Sequence, residues 1–282
     1  GELKAKKGEK KQYFSHLIGK NDDCEAKLNN ILYNIKNNKA EENIYIVEDS
    51  DLFSNKYNDL VEDINGFTEE QLLVINSKEK RIKVDSKAGT GKTSVCEEYI
   101  KVNSNKSILY MIFNKSMAEE AKERFGHLSN VEIRTTYSMA YQAIGYQYKH
   151  KLTTSYNLFN VANALNIRMY KPEDYKYVSE LENLFTLYLS SWYYDVDSFI
   201  NSLPYKDITP NHRKDLKKLF NESKKLNNDV KITHGFYFKL WHLSKPDLSN
   251  YDVIVIDEVQ DSQPAMIDII RENKAVDTIM IV

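Results

Sequence analysis

Two short segments of the chain combine residue types that suit phosphate chemistry. The first runs from Val84 to Val95, where a short apolar run leads into the triplet Gly91-Lys92-Thr93 and then into a helical pattern. Glycines allow backbone N–H groups to converge on phosphate oxygens, a lysine supplies a mobile charge, and a threonine hydroxyl can ligate Mg²⁺. The candidate nucleotide-binding residues of this loop are Ser86, Ala88, Gly89, Thr90, Gly91, Lys92, Thr93 and Ser94.

The second segment runs from Tyr251 to Asp261, where four consecutive aliphatic residues lead directly into Asp257 and Glu258. A continuous apolar run is typical of a central parallel strand, whose carboxyl end faces the crevice in which open α/β sheets bind ligands. There, one carboxylate would ligate Mg²⁺, and the next would act as general base toward an attacking water. An acidic pair after a strand can also be only the charge at a helix N-terminus.

The phosphate loop has an alternative interpretation as well. Ser86 stands where the general loop pattern has its first glycine, and a Gly-Lys-Thr triplet also occurs by chance in surface turns. The two segments occur together in this chain, and that combination predicts a nucleoside triphosphatase.

A parallel sheet covered by helices would bring the two segments together. From Gly66 onward, short β-branched runs alternate with helical patterns, which is typical of an α/β fold with helices on both faces of the sheet. The predicted strands are Ile82 to Val84, Ile108 to Phe113, Val131 to Thr135, Tyr251 to Ile256 and Thr278 to Val282.

Between Ser138 and Lys245 helical spacing dominates, in stretches such as Leu181 to Ser190 and Leu216 to Leu226, which predicts an all-helical insertion between two strands. The residues before Gly66 have only short apolar patterns, so we expect a small, mostly helical appendage. The predicted domains are therefore an appendage at 1–63, a nucleotide-binding domain at 64–140 and 245–282, and a helical insertion at 141–244.

Composition restricts the class of protein. The 282 residues include 39 Lys and Arg against 41 Asp and Glu, so a globally basic surface for nucleic acid or membrane is excluded. No apolar run approaches the roughly 20 residues of a spanning helix, and the two cysteines fit a reducing compartment. We therefore expect a soluble, cytoplasmic protein. Because the chain begins with Gly1 and stops inside an apolar run, we expect it to be a fragment.

Further residues resemble those of superfamily 1 DNA helicases of the UvrD, Rep and PcrA type, closest to the F-box helicase branch, over Gly66 to Val282. The segment Phe67 to Ile75 is similar to the family's adenine-reading motif, and Asp257 to Ser262 is similar to its acidic motif. The resemblance implies a RecA-like fold with ATP and Mg²⁺ as cofactors. It also implies that Gln71 reads adenine, that Asp257 binds Mg²⁺, and that the catalytic residues are Lys92, Glu258 and Gln260.

Two other segments resemble the family motifs that touch single-stranded DNA. Phe113 to Ala121 is one residue shorter than the Phe-Thr-Asn-Lys form, and Thr135 to Ser138 resembles Thr-Phe-His-Ser with Tyr137 at the histidine position. Aromatic rings beside basic groups suit base stacking and phosphate contact, although both rings could instead pack in the core. The resemblance implies DNA contacts by Phe113, Asn114, Lys115, Thr136 and Tyr137.

The helical insertion has a basic stripe that could hold a DNA backbone. On a helical wheel, Leu216, Leu219, Phe220, Ser223 and Leu226 share one face. The opposite face carries Arg213, Lys214, Lys217, Lys218, Lys224 and Lys225, among which Lys217 and Lys224 are the candidate DNA contacts. A merely solvated face is the equal alternative.

The function that the resemblance implies is the ATP-binding half of an ATP-dependent 3′ to 5′ DNA helicase. Its partners would be single-stranded DNA, or a junction of single-stranded DNA with duplex, and a protein bound through residues 1–63. No membrane partner is expected. The family's second motor domain and arginine finger would lie beyond Val282, so the 282 residues alone should bind nucleotide but hydrolyse it slowly. The alternative is an ATP-gated subunit that switches a nuclease or another partner.

Overall fold

The computed structural model describes residues 45–47, 66–86, 89–204 and 208–281. Six strands form one sheet in the order β1-β2-β6-β5-β3-β4, and every neighbouring pair is parallel. The strands are β1 (Tyr45–Val47), β2 (Arg81–Val84), β3 (Ile108–Ile112), β4 (Val131–Thr135), β5 (Val253–Ile256) and β6 (Asp277–Ile281). The predicted parallel α/β fold is confirmed.

Helices supply the connections between these strands. They are α1 (Glu69–Ile75), α2 (Lys92–Val102), α3 (Lys115–Phe125), α4 (Thr136–Ala143), α5 (Leu158–Leu165), α6 (Pro172–Ser190), α7 (Val196–Ser202), α8 (Pro210–Lys224), α9 (His234–Leu243) and α10 (Pro264–Glu272). In the described part of the chain, 3₁₀ helices occur at Gly145–Lys151 and Val259–Asp261. No helix among the described residues is both long and apolar enough to cross a membrane.

The strands direct alternate side chains to the two faces of the sheet. On one face of β3, Ile108, Tyr110 and Ile112 pack with apolar residues of α2 and α3. On the other face, Leu109 and Met111 pack with residues of α4, α9 and α10. All five side chains are buried. This two-sided burial explains why β3 and β5 are uninterrupted apolar runs in the sequence.

Among the described residues from Thr136 to the end of α9, the regular structure is helical, apart from one isolated parallel bridge between Leu152 and Ile232. They enclose a separate apolar core contributed mainly by α5, α6, α7 and α8. Leu216, Leu219 and Phe220 are buried, as the wheel predicts for α8. Leu226 differs: it lies beyond the helix end and is exposed, because α8 stops at Lys224.

The sheet reaches into the segment predicted as a separate appendage. Tyr45–Val47 pairs with Ile82 to Val84 of β2 and is an outermost strand of the sheet. The other predictions for residues 1–63, including the basic tail and the protein-binding role, lie outside the described residues.

Candidate nucleotide and DNA site

The predicted chemical residues converge at one edge of the sheet. Because all six strands are parallel, their carboxyl ends lie at the same edge. β2 leads into the phosphate loop, β5 leads into the acidic pair, and β3 and β4 lead into the two segments predicted to touch DNA. The ends of β2 and β5 are separated by one strand, β6. Sheet topology therefore accounts for the proximity of segments far apart in the sequence.

The phosphate loop uses glycine where the backbone requires it. Gly89 and Gly91 have φ angles of 84° and 80°, which lie in the left-handed region that other residues rarely adopt. At Gly91 a Cβ atom would also lie 3.3 Å from Nε2 of Gln71, closer than an ordinary contact. At Gly89 it would meet nothing within 4 Å, so the backbone angle is the only requirement there. Ala88 lies outside the described residues.

The N-terminus of α2 has the properties of an anion site. Gly91 is its N-cap, no side chain caps the helix, and its first turn contains no acidic residue. The first N–H groups of a helix have no partner within the helix, and its dipole favours negative charge there. Among the described helices α9 and α10 also begin without a side-chain cap or an early acidic residue, whereas side chains cap six others, at Thr68, Asn114, Thr135, Asn157, Asp195 and Thr209.

Ser86 adds a second polar group to the loop. Its hydroxyl is buried and has no hydrogen-bond partner among the described residues. A buried hydroxyl without a partner is rare, because losing water costs free energy that a hydrogen bond would offset. Together with the uncapped α2 terminus, this hydroxyl fits a loop that is built to receive phosphate oxygens.

The lysine of the loop contacts the acidic pair directly. Lys92 Nζ lies 3.1 Å from Glu258 Oε1, and both side chains are largely shielded from solvent. Gln260 Nε2 donates a hydrogen bond to the other carboxylate oxygen of Glu258. Glu258 itself has φ 55° and ψ 49°, a left-handed conformation that is costly for a residue other than glycine. Such strain is concentrated at functional sites, and here it turns the chain immediately after β5.

Asp257 is held on both of its carboxylate oxygens. Its side chain is 5% exposed. The Tyr110 hydroxyl donates to Oδ2 at 2.7 Å, and the Glu258 backbone N–H donates to Oδ1 at 3.0 Å. Burial raises the pKa of Tyr110, so its hydroxyl stays protonated and remains a donor. Burial likewise raises the pKa of the neighbouring Cys96 thiol, which therefore stays neutral.

Gln71 connects α1 to the phosphate loop. Its Oε1 accepts from the Thr68 backbone N–H at 2.9 Å, and its Nε2 donates to the Thr90 carbonyl at 2.7 Å. A side-chain amide has two N–H donors and two acceptor lone pairs. One of each therefore remains for the edge of an adenine, and the adenine-reading role stays a prediction.

Thr93 and Ser94, which follow Lys92 in α2, differ in their surroundings. Thr93 is half-buried in the first turn. The Ser94 hydroxyl accepts a hydrogen bond from Arg124 Nη2 at 3.2 Å, and the same guanidinium lies 2.9 Å from Glu97. Ser94 would thus meet a nucleotide through its backbone N–H rather than its hydroxyl.

The segment after β3 presents an aromatic ring to solvent. Phe113 is 41% exposed, and the next residue, Asn114, caps α3 by accepting from the Met117 N–H at 2.9 Å. Lys115 is 87% exposed and lies 3.4 Å from Glu119, a contact that solvent screens. An exposed ring beside a mobile cation suits a base and its phosphate.

The segment after β4 is packed instead. Thr136 begins α4, and Tyr137 follows it. The Tyr137 ring makes edge-on contacts with His234 and Phe238, with centroids 6.1 and 5.6 Å apart. Its hydroxyl accepts a hydrogen bond from Gln263 Nε2. Of the two interpretations of Tyr137, core packing describes its surroundings in this structure.

The basic stripe of α8 makes contacts within the helical insertion. Lys217 Nζ and Arg213 Nη1 lie 2.6 and 2.9 Å from the carboxylate of Asp197 on α7. Lys224 Nζ lies 5.4 Å from the centre of the Phe220 ring on its own helix. These contacts do not involve the carboxyl edge of the sheet, so the stripe is not part of the nucleotide site.

Tyr110 and Gln263 were not predicted as site residues. Tyr110 is the only polar side chain in the buried run of β3, and a buried tyrosine hydroxyl usually needs a partner. That signal was available in the sequence. Gln263 had no comparable signal, because its contact with Tyr137 depends on the path of the chain after Asp261.

The parallel sheet covered by helices is an α/β fold of the RecA-like type. Residues 67–282 match the UvrD/REP helicase N-terminal domain. The match covers more than half of the chain, and the chain belongs to this family. The family implies ATP and a divalent metal as cofactors, and the resemblance predicted from the sequence is confirmed.

Two relatives carry helicase names. The chain is 33% identical over 229 residues to F-box DNA helicase 1 of Gallus gallus. This alignment covers 72% of this chain and 22% of that protein. It is 30% identical over 233 residues to F-box DNA helicase protein 1 of Schizosaccharomyces pombe. This second alignment covers 74% of this chain and 26% of that protein. The chain thus spans about a quarter of the length of these relatives.

Proposed function

We propose that this chain is the ATP-binding part of a DNA helicase or translocase that couples Mg-ATP hydrolysis to 3′ to 5′ movement along single-stranded DNA. The observation that carries the proposal is the 3.1 Å contact between Lys92 and Glu258. It joins the lysine of the phosphate loop to the candidate general base at the end of a different strand. Family membership supports the same reaction class.

The residues of the site fit ATP and Mg²⁺. When bound, ATP supplies the phosphoanhydride bond that is cleaved, and Mg²⁺ neutralises charge on its phosphates. The uncapped N-terminus of α2 and the loop glycines would bind the phosphates, and the Ser86 hydroxyl would donate to them. Thr93 and Asp257 would hold the cation, and the free donor and acceptor of Gln71 would select adenine.

Lys92 and Glu258 would exchange partners during the reaction. A phosphate at the α2 N-terminus competes with Glu258 for the Lys92 ammonium. Release from Lys92 leaves Glu258 Oε1 able to accept a proton from the attacking water, while Gln260 keeps Oε2 in place. The ion pair thus restrains the base until the phosphates arrive.

The domain organisation follows the same assignment. We propose that residues 64–140 and 245–282, with strand β1 added to their sheet, form the ATP-binding domain and that residues 141–244 form an inserted helical subdomain. Single-stranded DNA, or its junction with duplex, would run past the ends of β3 and β4. Phe113 would stack on a base, Asn114 and Lys115 would contact its backbone, and Thr136 would line the path beside the packed ring of Tyr137.

The test measures ATP turnover by the full-length protein with and without single-stranded DNA, together with displacement of a strand from duplexes carrying 3′ or 5′ tails. We expect DNA-stimulated turnover and displacement from the 3′-tailed substrate. Turnover without displacement from either substrate would favour the ATP-gated switch. Gln71→Ala should narrow the difference in affinity between ATP and GTP, and an unchanged difference would contradict the adenine-reading role.

A further inference from the structure

Tyr110 lies directly behind the candidate metal-binding carboxylate. It is the third residue of β3, on the face of the sheet that α2 and α3 cover, and it is fully buried. By strand alternation, Asp257 at the end of the neighbouring β5 faces the same side as Val253 and Val255. The two side chains therefore meet beneath α2, the helix that follows the phosphate loop.

The contact between them is a hydrogen bond of ordinary length in a dry environment. The Tyr110 hydroxyl donates to Asp257 Oδ2 at 2.7 Å, and both groups are buried. A hydrogen bond to a carboxylate is stronger than one between neutral groups, and burial increases the cost of losing it. The bond therefore restricts the rotation of the Asp257 carboxylate.

The tyrosine is itself held in place. Its ring packs edge-on against Phe125 of α3, with centroids 4.9 Å apart and planes at 82°. The Glu258 backbone N–H fixes the second carboxylate oxygen of Asp257 at 3.0 Å. With one donor on each oxygen, the carboxylate has a defined orientation, and each oxygen keeps a lone pair for a further contact.

We propose that Tyr110 is a positioning residue for the divalent cation. Its hydroxyl orients the Asp257 carboxylate toward the cation or a water bound to it, as partners of metal ligands commonly do. This inference rests on the proposed function, in which Asp257 helps to hold the divalent cation that accompanies the nucleotide. Tyr110 does not touch the nucleotide and acts only through Asp257.

The test compares Tyr110→Phe with Tyr99→Phe in the full-length protein. Both substitutions remove one hydroxyl group from a buried tyrosine of the same core cluster. Tyr99 lies on α2 near Asp277, the first residue of β6 and thus at the opposite edge of the sheet, so it serves as a matched control. Melting temperatures of both variants report the general cost of the lost hydroxyl.

The main readout is cation binding rather than activity. Mn²⁺ is titrated into the protein with ADP and followed by electron paramagnetic resonance, and the Mg²⁺ dependence of ATP turnover is measured in parallel. We expect Tyr110→Phe to weaken Mn²⁺ binding and to raise the half-maximal Mg²⁺ concentration by about 10-fold or more. The KM for ATP at saturating Mg²⁺ should stay near the wild-type value, and Tyr99→Phe should leave the cation dependence unchanged.

A double-variant cycle shows whether Tyr110 acts through Asp257. In an Asp257→Asn background, Tyr110→Phe should cause no further loss of cation affinity. Equal cation binding by Tyr110→Phe and Tyr99→Phe, or full additivity with Asp257→Asn, would overturn the inference. Absence of cation-dependent nucleotide binding in the wild-type protein would instead overturn the proposed function.

Discussion

The nucleotide site and the basic stripe of α8 use charged side chains in opposite ways. At the sheet edge, Lys92 and Glu258 come from distant parts of the sequence, are largely shielded from solvent and lie 3.1 Å apart. On α8, Lys217 is more exposed and pairs with Asp197 on α7, the preceding helix of the same insertion. Shielded charges must be paired in a defined geometry, whereas exposed pairs contribute little and tolerate rearrangement.

The difference shows which charged patterns are informative about function. The Gly-Lys-Thr triplet constrains the backbone, since Gly91 must adopt a left-handed angle and α2 must begin without a cap. A lysine every three or four residues constrains only one face of a helix. We therefore expect substitutions at the sheet edge to have larger effects on function than those on α8.

The largest effect should come from Glu258→Gln. Loss of the general base should lower ATP turnover by the full-length protein by about 10² to 10⁴-fold, while nucleotide binding is retained. Glu222→Gln is the matched control, because Glu222 also pairs with a lysine, Lys225, at 2.7 Å. Near-normal turnover by Glu258→Gln would remove the distinction between the two regions.

A buried lysine outside the nucleotide site sharpens the comparison. Lys239 on α9 is fully buried and donates to the carbonyls of Ser191 and Tyr193 at 2.7 and 2.6 Å. Lys239→Met should lower the free energy of unfolding by about 2 to 4 kcal/mol, because both carbonyls lose their donor. Denaturant unfolding of Lys239→Met beside Lys217→Met, for which we expect at most about 1 kcal/mol, measures this contrast.

DNA binding provides a test of intermediate size. Because the Phe113 ring is exposed, Phe113→Ala should weaken binding of the full-length protein to single-stranded DNA by about 1 to 3 kcal/mol, with little dependence on base sequence. Phe159→Ala is the control, since Phe159 is exposed on α5 of the helical insertion. Equal losses in the two variants would show that general apolar surface, rather than this position, binds DNA.

The smallest effect should occur on the stripe itself. If Lys217 and Lys224 contact phosphates, Lys217→Glu and Lys224→Glu should each lower the salt slope of DNA binding by about 1. We expect the smaller change for Lys217, because Asp197 already compensates part of its charge. Slopes identical to wild type in both variants would identify the stripe as a solvated surface.

The sheet was largely predictable because its strands are defined by local composition. β4 has the predicted bounds, and β3 differs only at Phe113, which leaves the strand where the chain emerges into solvent. β1 was not predicted as part of the sheet. Its three residues form a strand by pairing with β2, and a short local sequence pattern does not indicate such a long-range pairing.

The candidate site was predictable as far as its residues lie within motifs. The contact between Lys92 and Glu258 follows from parallel strands that end at one edge. The bond between Tyr110 and Asp257 depends on side-chain alternation in two strands, and Tyr137 required knowledge of α9, which surrounds its ring. Pairings between elements are set by tertiary packing and therefore escaped the sequence.

The central claim is that the loop around Lys92 binds nucleotide phosphates. Its most direct test is the rise in melting temperature that Mg-ADP produces in wild type, Lys92→Ala and Lys106→Ala. Lys106 is the control because it pairs with Asp277 at 3.4 Å away from the phosphate loop. At about 100 times the Kd, nucleotide should stabilise the wild type and Lys106→Ala by about 2.7 kcal/mol, and most of this should be lost in Lys92→Ala. An equal rise in all three proteins would contradict the account.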